Sequence, residues 1–152
     1  MGHTFGVKCA QCEYKFEAVV GHGMLWCDFF GTDLDTDAPI YMDYIKDEEI
    51  LDDINRIIQT EENVREHVID KIGYSHGLAQ YLCVKCGRLY NKCYFKLVFD
   101  DGSYEPEYFC DCCENKLKKV NLENNNKLKW NCPLCGQNKL VNDHNARQIF
   151  FD

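Results

Sequence analysis

Residues 83–113 read CVKCGRLYNKCYFKLVFDDGSYEPEYFCDCC, and after a Lys/Asn-rich link residues 132–136 read CPLCG. With CAQC at residues 9–12, the chain holds four C-x-x-C half-sites. A C-x-x-C turn sets two sulfurs on one side of a tight knuckle. Two such knuckles close a tetrahedral shell around Zn²⁺, with Zn–S distances of about 2.3 Å. Eight paired cysteines therefore predict two Cys₄ sites and two zinc ions per chain, with iron as the alternative metal for an all-thiolate set.

Hairpin geometry suggests how the knuckles combine. From Leu89 to Phe99 the residues alternate, with Leu89, Asn91, Cys93, Phe95, Leu97 and Phe99 on one face and Tyr90, Tyr94 and Val98 on the other. Asp100-Asp101-Gly102 is a hairpin turn signal. Tyr104 to Phe109 then leads back to Cys110, with Pro106 marking an edge. A strand that leaves one knuckle and returns beside it delivers the second knuckle to the same place. Cys83 and Cys86 are thus expected with Cys110 and Cys113, leaving Cys9 and Cys12 with Cys132 and Cys135 to tie the two ends together. The rival pairing joins Cys110/Cys113 to Cys132/Cys135 and Cys9/Cys12 to Cys83/Cys86, and spacing alone does not rank the two. Cys112 can stand in for either neighbour, although the two-residue spacer favours Cys110 with Cys113.

Outward from the cysteines, Thr4–Lys8 and Tyr14–Val20 read as strands flanking the first knuckle. Gly21-His22-Gly23 allows a turn, and Met24, Leu25 and Trp26 supply an apolar return. Residues 28–80 differ in composition, with fourteen Asp/Glu against four Lys/Arg. Ile50, Leu51, Ile54, Ile57 and Ile58 fall at helical spacing between Lys46 and Gln59, with Asp47, Glu48 and Glu49 in the first turn, where they suit the helix dipole. Val64, Val68, Ile69 and Ile72 predict a second helix closed by Gly73. The tract 116–129 is polar with a turn at Asn124-Asn125-Asn126, and a last strand is expected over Gln148–Phe151. The expected fold class is α+β: small zinc-ribbon β units with an acidic two-helix insertion. Residues 1–27 and 114–152 would form a terminal ribbon, 28–80 the insertion and 81–113 a central ribbon.

The formal charge of −8 counts every cysteine as neutral, and eight thiolates on two Zn²⁺ would add four more negative charges. Such a balance opposes non-specific nucleic-acid binding, which needs Lys/Arg on phosphates, and favours a basic protein partner. The N-terminus lacks a basic region followed by an apolar run, no stretch approaches the roughly 18 apolar residues that span a bilayer, and Gly6 stands where a myristoylation signal needs Ser or Thr. An odd cysteine number, mostly in C-x-x-C pairs, fits bound metal in the cytoplasm better than a secreted disulfide scaffold.

CVKCG followed by Leu-Tyr, and later CPLCG, resembles the knuckles of rubredoxins and rubredoxin-like zinc ribbons. GVKCAQCEYKFEAVVGHGM at the start, YLCVKCG and the CPLCG ending also resemble a family of small bacterial zinc-ribbon proteins without an assigned activity. The resemblance covers both ends of the chain and only loosely the acidic middle. It implies a fold and a metal, and no activity. Rubredoxins are shorter and carry two knuckles, so their electron-transfer role carries over weakly.

The remaining candidates have plain structural readings. Cys93 suits a small core position, and Cys27, Cys93, His22 and His76 are too scattered to specify a third site. His76 and His144 have no catalytic partner in sequence. Asp33, Asp35 and Asp37 imitate a calcium loop, but Ala38 replaces its glycine and Tyr44 its bidentate glutamate. Tyr90, Tyr94, Phe95, Tyr104, Tyr108 and Trp130 near Lys85, Arg88, Lys92 and Lys96 would suit single-stranded nucleic acid, or simply fill a sheet core. With no nucleophile–base pair, phosphate loop or open metal site, the expected function is non-enzymatic: a zinc-ribbon binding or adaptor protein with a protein partner. Rubredoxin-like redox chemistry and nucleic-acid binding are the alternatives, and no membrane is expected.

Overall fold

The computed structural model describes residues 2–21, 29–31, 37–67, 76–123 and 129–151. Two β-hairpins of similar construction organise it. In the first, β1 (Gly2–Cys9) runs into the CAQC knuckle and returns antiparallel as β2 (Lys15–Gly21), from Gly2↔Gly21 to Lys8↔Lys15. In the second, β4 (His76–Leu82) enters the CVKC knuckle and returns as β5 (Leu89–Phe95), from His76↔Phe95 to Leu82↔Leu89. A distant knuckle completes each hairpin, and a short strand beginning five residues after that knuckle's second cysteine pairs with the hairpin's first strand. For β1 that strand is β9 (Leu140–Asp143), with Cys9 opposite Leu140; for β4 it is β8 (Lys118–Val120), with Leu82 opposite Lys118. The terminal β10 (Phe150–Phe151) extends the edge of β1, and the pair Gly21↔Leu78 joins the two ribbons into one seven-stranded sheet.

The expected helix is α2 (Glu48–Thr60), preceded by a single turn, α1 (Tyr41–Tyr44). Its Ile50, Ile54 and Ile57 are buried, and its acidic side faces water, as the sequence spacing requires. They join Tyr81, Cys83, Cys93, Phe95, Leu97, Tyr108, Cys110 and Leu117 in one core, so the helix packs on the second ribbon. A separate core of Phe5, Val7, Cys9, Ala18, Leu122, Cys132 and Leu140 lies under the first ribbon and borrows Leu82 and Leu89 from the second.

Two expectations change. The helix expected from Val64 begins instead as β3 (Arg65–Glu66), which pairs with β6 (Leu97–Phe99); residues 68–73 lie outside the described part. Asn63, at φ 54°, turns the chain after α2, and strand pairing with β6 outweighs the local helical spacing. The alternating run 89–99 also divides. It breaks at Lys96, leaving β5 in the large sheet and β6 in a three-stranded sheet with β3 and β7 (Gly102–Tyr104). The hairpin at Asp100-Asp101 stands where the sequence placed it, with Phe99 opposite Gly102. β4 starts within the stretch assigned to the insertion, and β8 pairs with β4 from beyond the stretch assigned to the central ribbon. The turns expected at 22–26 and 124–126 lie outside the described residues.

Candidate metal centres

Each C-x-x-C knuckle is held by the same hydrogen-bond frame. The N–H of the first cysteine donates to the carbonyl five residues on, from Cys9 to Tyr14, Cys83 to Arg88, Cys110 to Asn115 and Cys132 to Gln137, at 2.8–3.0 Å. In three knuckles the residue after the second cysteine donates back to the first cysteine's carbonyl and takes a positive φ: Gly87, Glu114 and Gly136. The Gln11 N–H donates to Cys9 Sγ at 3.4 Å. The N–H groups of Tyr14, Arg88, Asn115 and Gln137, each two residues beyond a second cysteine, draw the thiols of Cys12, Cys86, Cys113 and Cys135 toward ionisation against the effect of burial. Backbone dipoles thus converge on sulfurs that would carry negative charge.

Two groups of four sulfurs result, Cys9, Cys12, Cys132 and Cys135 in one and Cys83, Cys86, Cys110 and Cys113 in the other, each with all its sulfurs within 4.8 Å of one another. Nearest pairs across knuckles are Cys9–Cys135 at 3.7 Å, Cys12–Cys132 at 3.6 Å, Cys83–Cys113 at 3.4 Å and Cys86–Cys110 at 3.5 Å. A tetrahedral ion with four sulfurs at about 2.3 Å requires S···S edges of about 3.8 Å, and the four pairs across knuckles already lie close to that edge. A disulfide needs about 2.05 Å, and the ten described cysteines are free thiols. In every knuckle the first cysteine is buried and the second partly exposed.

The protonation pattern describes four thiols competing for charge. Burial raises Cys9, but the N–H groups of Gln11 and Cys12 and the neighbouring thiols bring it to about 7. Burial likewise opposes ionisation of Cys110, which the Tyr90 hydroxyl and the N–H groups of Cys112 and Cys113 bring to about 6. Cys86 is pushed up to about 12 by burial and by Cys83 and Cys110. Cys12 also reaches about 12; the Tyr14 N–H lowers it, but burial and the thiols Cys132, Cys135 and Cys9 outweigh that pull. One thiolate forms readily in each group while a neighbour resists, and a divalent cation between them removes the conflict.

Tyr90 and Arg88 complete the surroundings of the second group. The Tyr90 hydroxyl donates to Asp111 and lies 3.2 Å from Cys110 Sγ, while Arg88 Nη1 sits 3.3 Å from Asp111. Sequence reasoning placed Tyr90 on a stacking face; its contact with Cys110 spans twenty positions and has no local signal. Cys112 is exposed and outside both groups. Cys93 is a buried core residue whose thiol burial pushes up to about 12. His76 is buried, its Nδ1 2.8 Å from Glu66 Oε1. His144 is exposed beside a polar pocket that His3 also lines. Cys27, His22, Asp33 and Asp35 lie outside the described residues.

No family model matches the chain, and neither a curated protein nor a solved structure does. Among the described residues, no helix is long and apolar enough to cross a membrane.

Proposed function

We propose that this protein is a non-enzymatic binding module whose two zinc-ribbon units are held by structural zinc, one ion in each four-cysteine group. The supporting observation is that each group closes on itself. All four donors are cysteines, two of them are buried, and the S···S spacing matches a tetrahedral edge. Four thiolates fill a zinc coordination shell and leave no position for water or substrate, so the ion serves the fold and not a reaction. The working surfaces are then the outer faces of the ribbons and of α2.

A basic protein is the partner this reading favours. Beside α2 a groove of about 610 Å³ is lined by Asp47, Glu49, Asp53, Glu105 and Glu107, with the exposed ring of Phe109 among them. Carboxylates around an apolar contact suit lysine and arginine side chains, whose stems are apolar and whose heads are charged.

Elemental analysis of protein purified without added metal tests the reading. The expected result is two zinc per chain in a colourless sample. A coloured sample with iron would support the electron-transfer alternative instead, and one equivalent or none would overturn the paired sites.

A further inference from the structure

The two ribbons meet at their knuckles. A Cβ on Gly87 would stand 2.6 Å from the Asn131 carbonyl oxygen, so the CVKC turn lies directly against the segment entering the CPLC turn. Pro133 lines a groove on each side of this seam. One groove, about 370 Å³, runs between Val84 and Lys85 on the first wall and Lys129 and Trp130 on the second. The other, about 350 Å³, lies between Tyr14, Arg88, Tyr90 and Leu134. Val84 and Leu134, at 63% and 60% exposure, are apolar residues standing in water at the seam.

Charge sets this face apart in a chain of formal charge −8. Lys85, Arg88 and Lys129 line the paired grooves and, among the described residues, no carboxylate does; Asp111 reaches the Arg88 guanidinium at 3.3 Å and accepts from the Tyr90 hydroxyl. The groove beside α2, by contrast, is lined by five carboxylates. Half-buried rings, Trp130 and Tyr14, stand among these cations. The strand face that the sequence suggested for stacking is otherwise used: Phe95 and Tyr108 are buried, Lys119 caps the Tyr94 ring and Lys96 pairs with Glu105.

From this juxtaposition we infer that the seam between the two knuckles binds single-stranded nucleic acid, its bases against Trp130 and Tyr14 and its phosphates against Lys85, Arg88 and Lys129. Unpaired bases are required, because a duplex keeps its ring faces stacked and offers only phosphates to such grooves. The four-cysteine groups lie close by, but the first cysteine of each knuckle is buried and the second only partly exposed, whereas Lys85, Arg88 and Lys129 are exposed. With three cations, binding is modest and salt-sensitive. It rests on the two-zinc fold, which shapes the seam, and goes beyond it in assigning a ligand.

Anisotropy of a labelled oligothymidylate of about fifteen nucleotides, titrated with protein already shown to carry two zinc ions, tests this. Three phosphate contacts on a single strand predict a salt slope near −2, so affinity should fall roughly 15- to 20-fold between about 50 and about 200 mM salt. Trp130→Ala should weaken binding about tenfold through lost stacking, and the double variant K85E/K129E should abolish it. Lys46→Glu, exposed beside α2, should leave it unchanged. No binding at low salt, or binding unaffected by K85E/K129E, overturns the inference. So does equal binding of a duplex of the same length, or full displacement by an oligoglutamate peptide, which would make the seam a site for an acidic protein. Failure with two zinc ions bound counts against the seam alone, whereas fewer than two counts against the fold reading beneath it.

Discussion

The two ribbons share a plan and differ in what supports it. In the second, the knuckles bearing Cys83 and Cys113 lie 30 positions apart, and α2 covers the sheet with a core that takes in Phe95, Leu97 and Tyr108. In the first, Cys9 and Cys135 are 126 positions apart, and the core is small and completed by Leu82 and Leu89 of the other ribbon. Closing a loop about four times longer costs roughly 1 kcal/mol more in chain entropy. The second ribbon therefore stands on local contacts and a helix, while the first would stand on the metal proposed for it and on its neighbour. One architecture can serve both because thiolate–metal bonds, if each four-cysteine group holds the proposed ion, replace whatever core a small sheet lacks.

Breaking each metal site in turn should expose this asymmetry most strongly. Cys83→Ser is expected to release both ions and unfold the chain, since the second ribbon carries Leu82 and Leu89 into the first. Cys135→Ser is expected to lose one ion and keep α2 and the second ribbon folded. Native mass spectrometry with circular dichroism checks both, and equal behaviour of the two variants would remove the proposed hierarchy. Next in size is Ile54→Ala, which hollows the core beneath α2; a loss of about 2–5 kcal/mol is expected in denaturant unfolding. A loss near zero would mean that α2 does not support the second ribbon.

Two glycines at equivalent knuckle positions sharpen the comparison. Gly136 has φ 71°, and a Cβ there would meet nothing within 4 Å, so Gly136→Ala should cost only the left-handed backbone penalty of about 1 kcal/mol. Gly87, at φ 75°, faces the Asn131 carbonyl, and Gly87→Ala should cost roughly 1–3 kcal/mol more through overpacking. Matching thermal shifts for the two would mean that the seam is not close-packed.

The smallest effect concerns the edge of the first ribbon. The Lys8 ammonium, 2.8 Å away, holds the Asp143 carboxyl below its ordinary range, with the Asn145 N–H adding to this against the effect of burial. A depressed carboxylate contributes stability above its unfolded-state value and loses it as pH falls through the folded-state value. Wild-type protein should thus lose a small increment on acidification that Asp143→Asn does not, measured as the difference in melting temperature between neutral and acid pH. Parallel pH profiles would show that this pair contributes nothing.

Legibility in the sequence followed the range of each signal. The C-x-x-C spacing carries its knuckle within six residues, and α2 shows in Ile50, Ile54 and Ile57 because its buried face repeats with helical period. The Asp100-Asp101 hairpin is equally local. β3 was hidden because Arg65 and Glu66 pair with Val98 and Leu97, thirty-odd positions away, over a stretch whose own spacing favours a helix. The break at Lys96 was hidden because alternation continues through it while the strand changes sheets. Spacing left two ways of combining the knuckles; only tertiary contacts bring Cys9 and Cys12 to Cys132 and Cys135. The role of Tyr90 beside Cys110 was out of reach for the same reason.

X-ray absorption at the zinc edge of protein purified without added metal addresses the central claim most directly. The account predicts four sulfur neighbours at about 2.3 Å around every zinc, with no lighter atom in the shell. A nitrogen or oxygen neighbour, or an average clearly below four sulfurs, would mean that at least one site is open, contradicting a purely structural role for the metal.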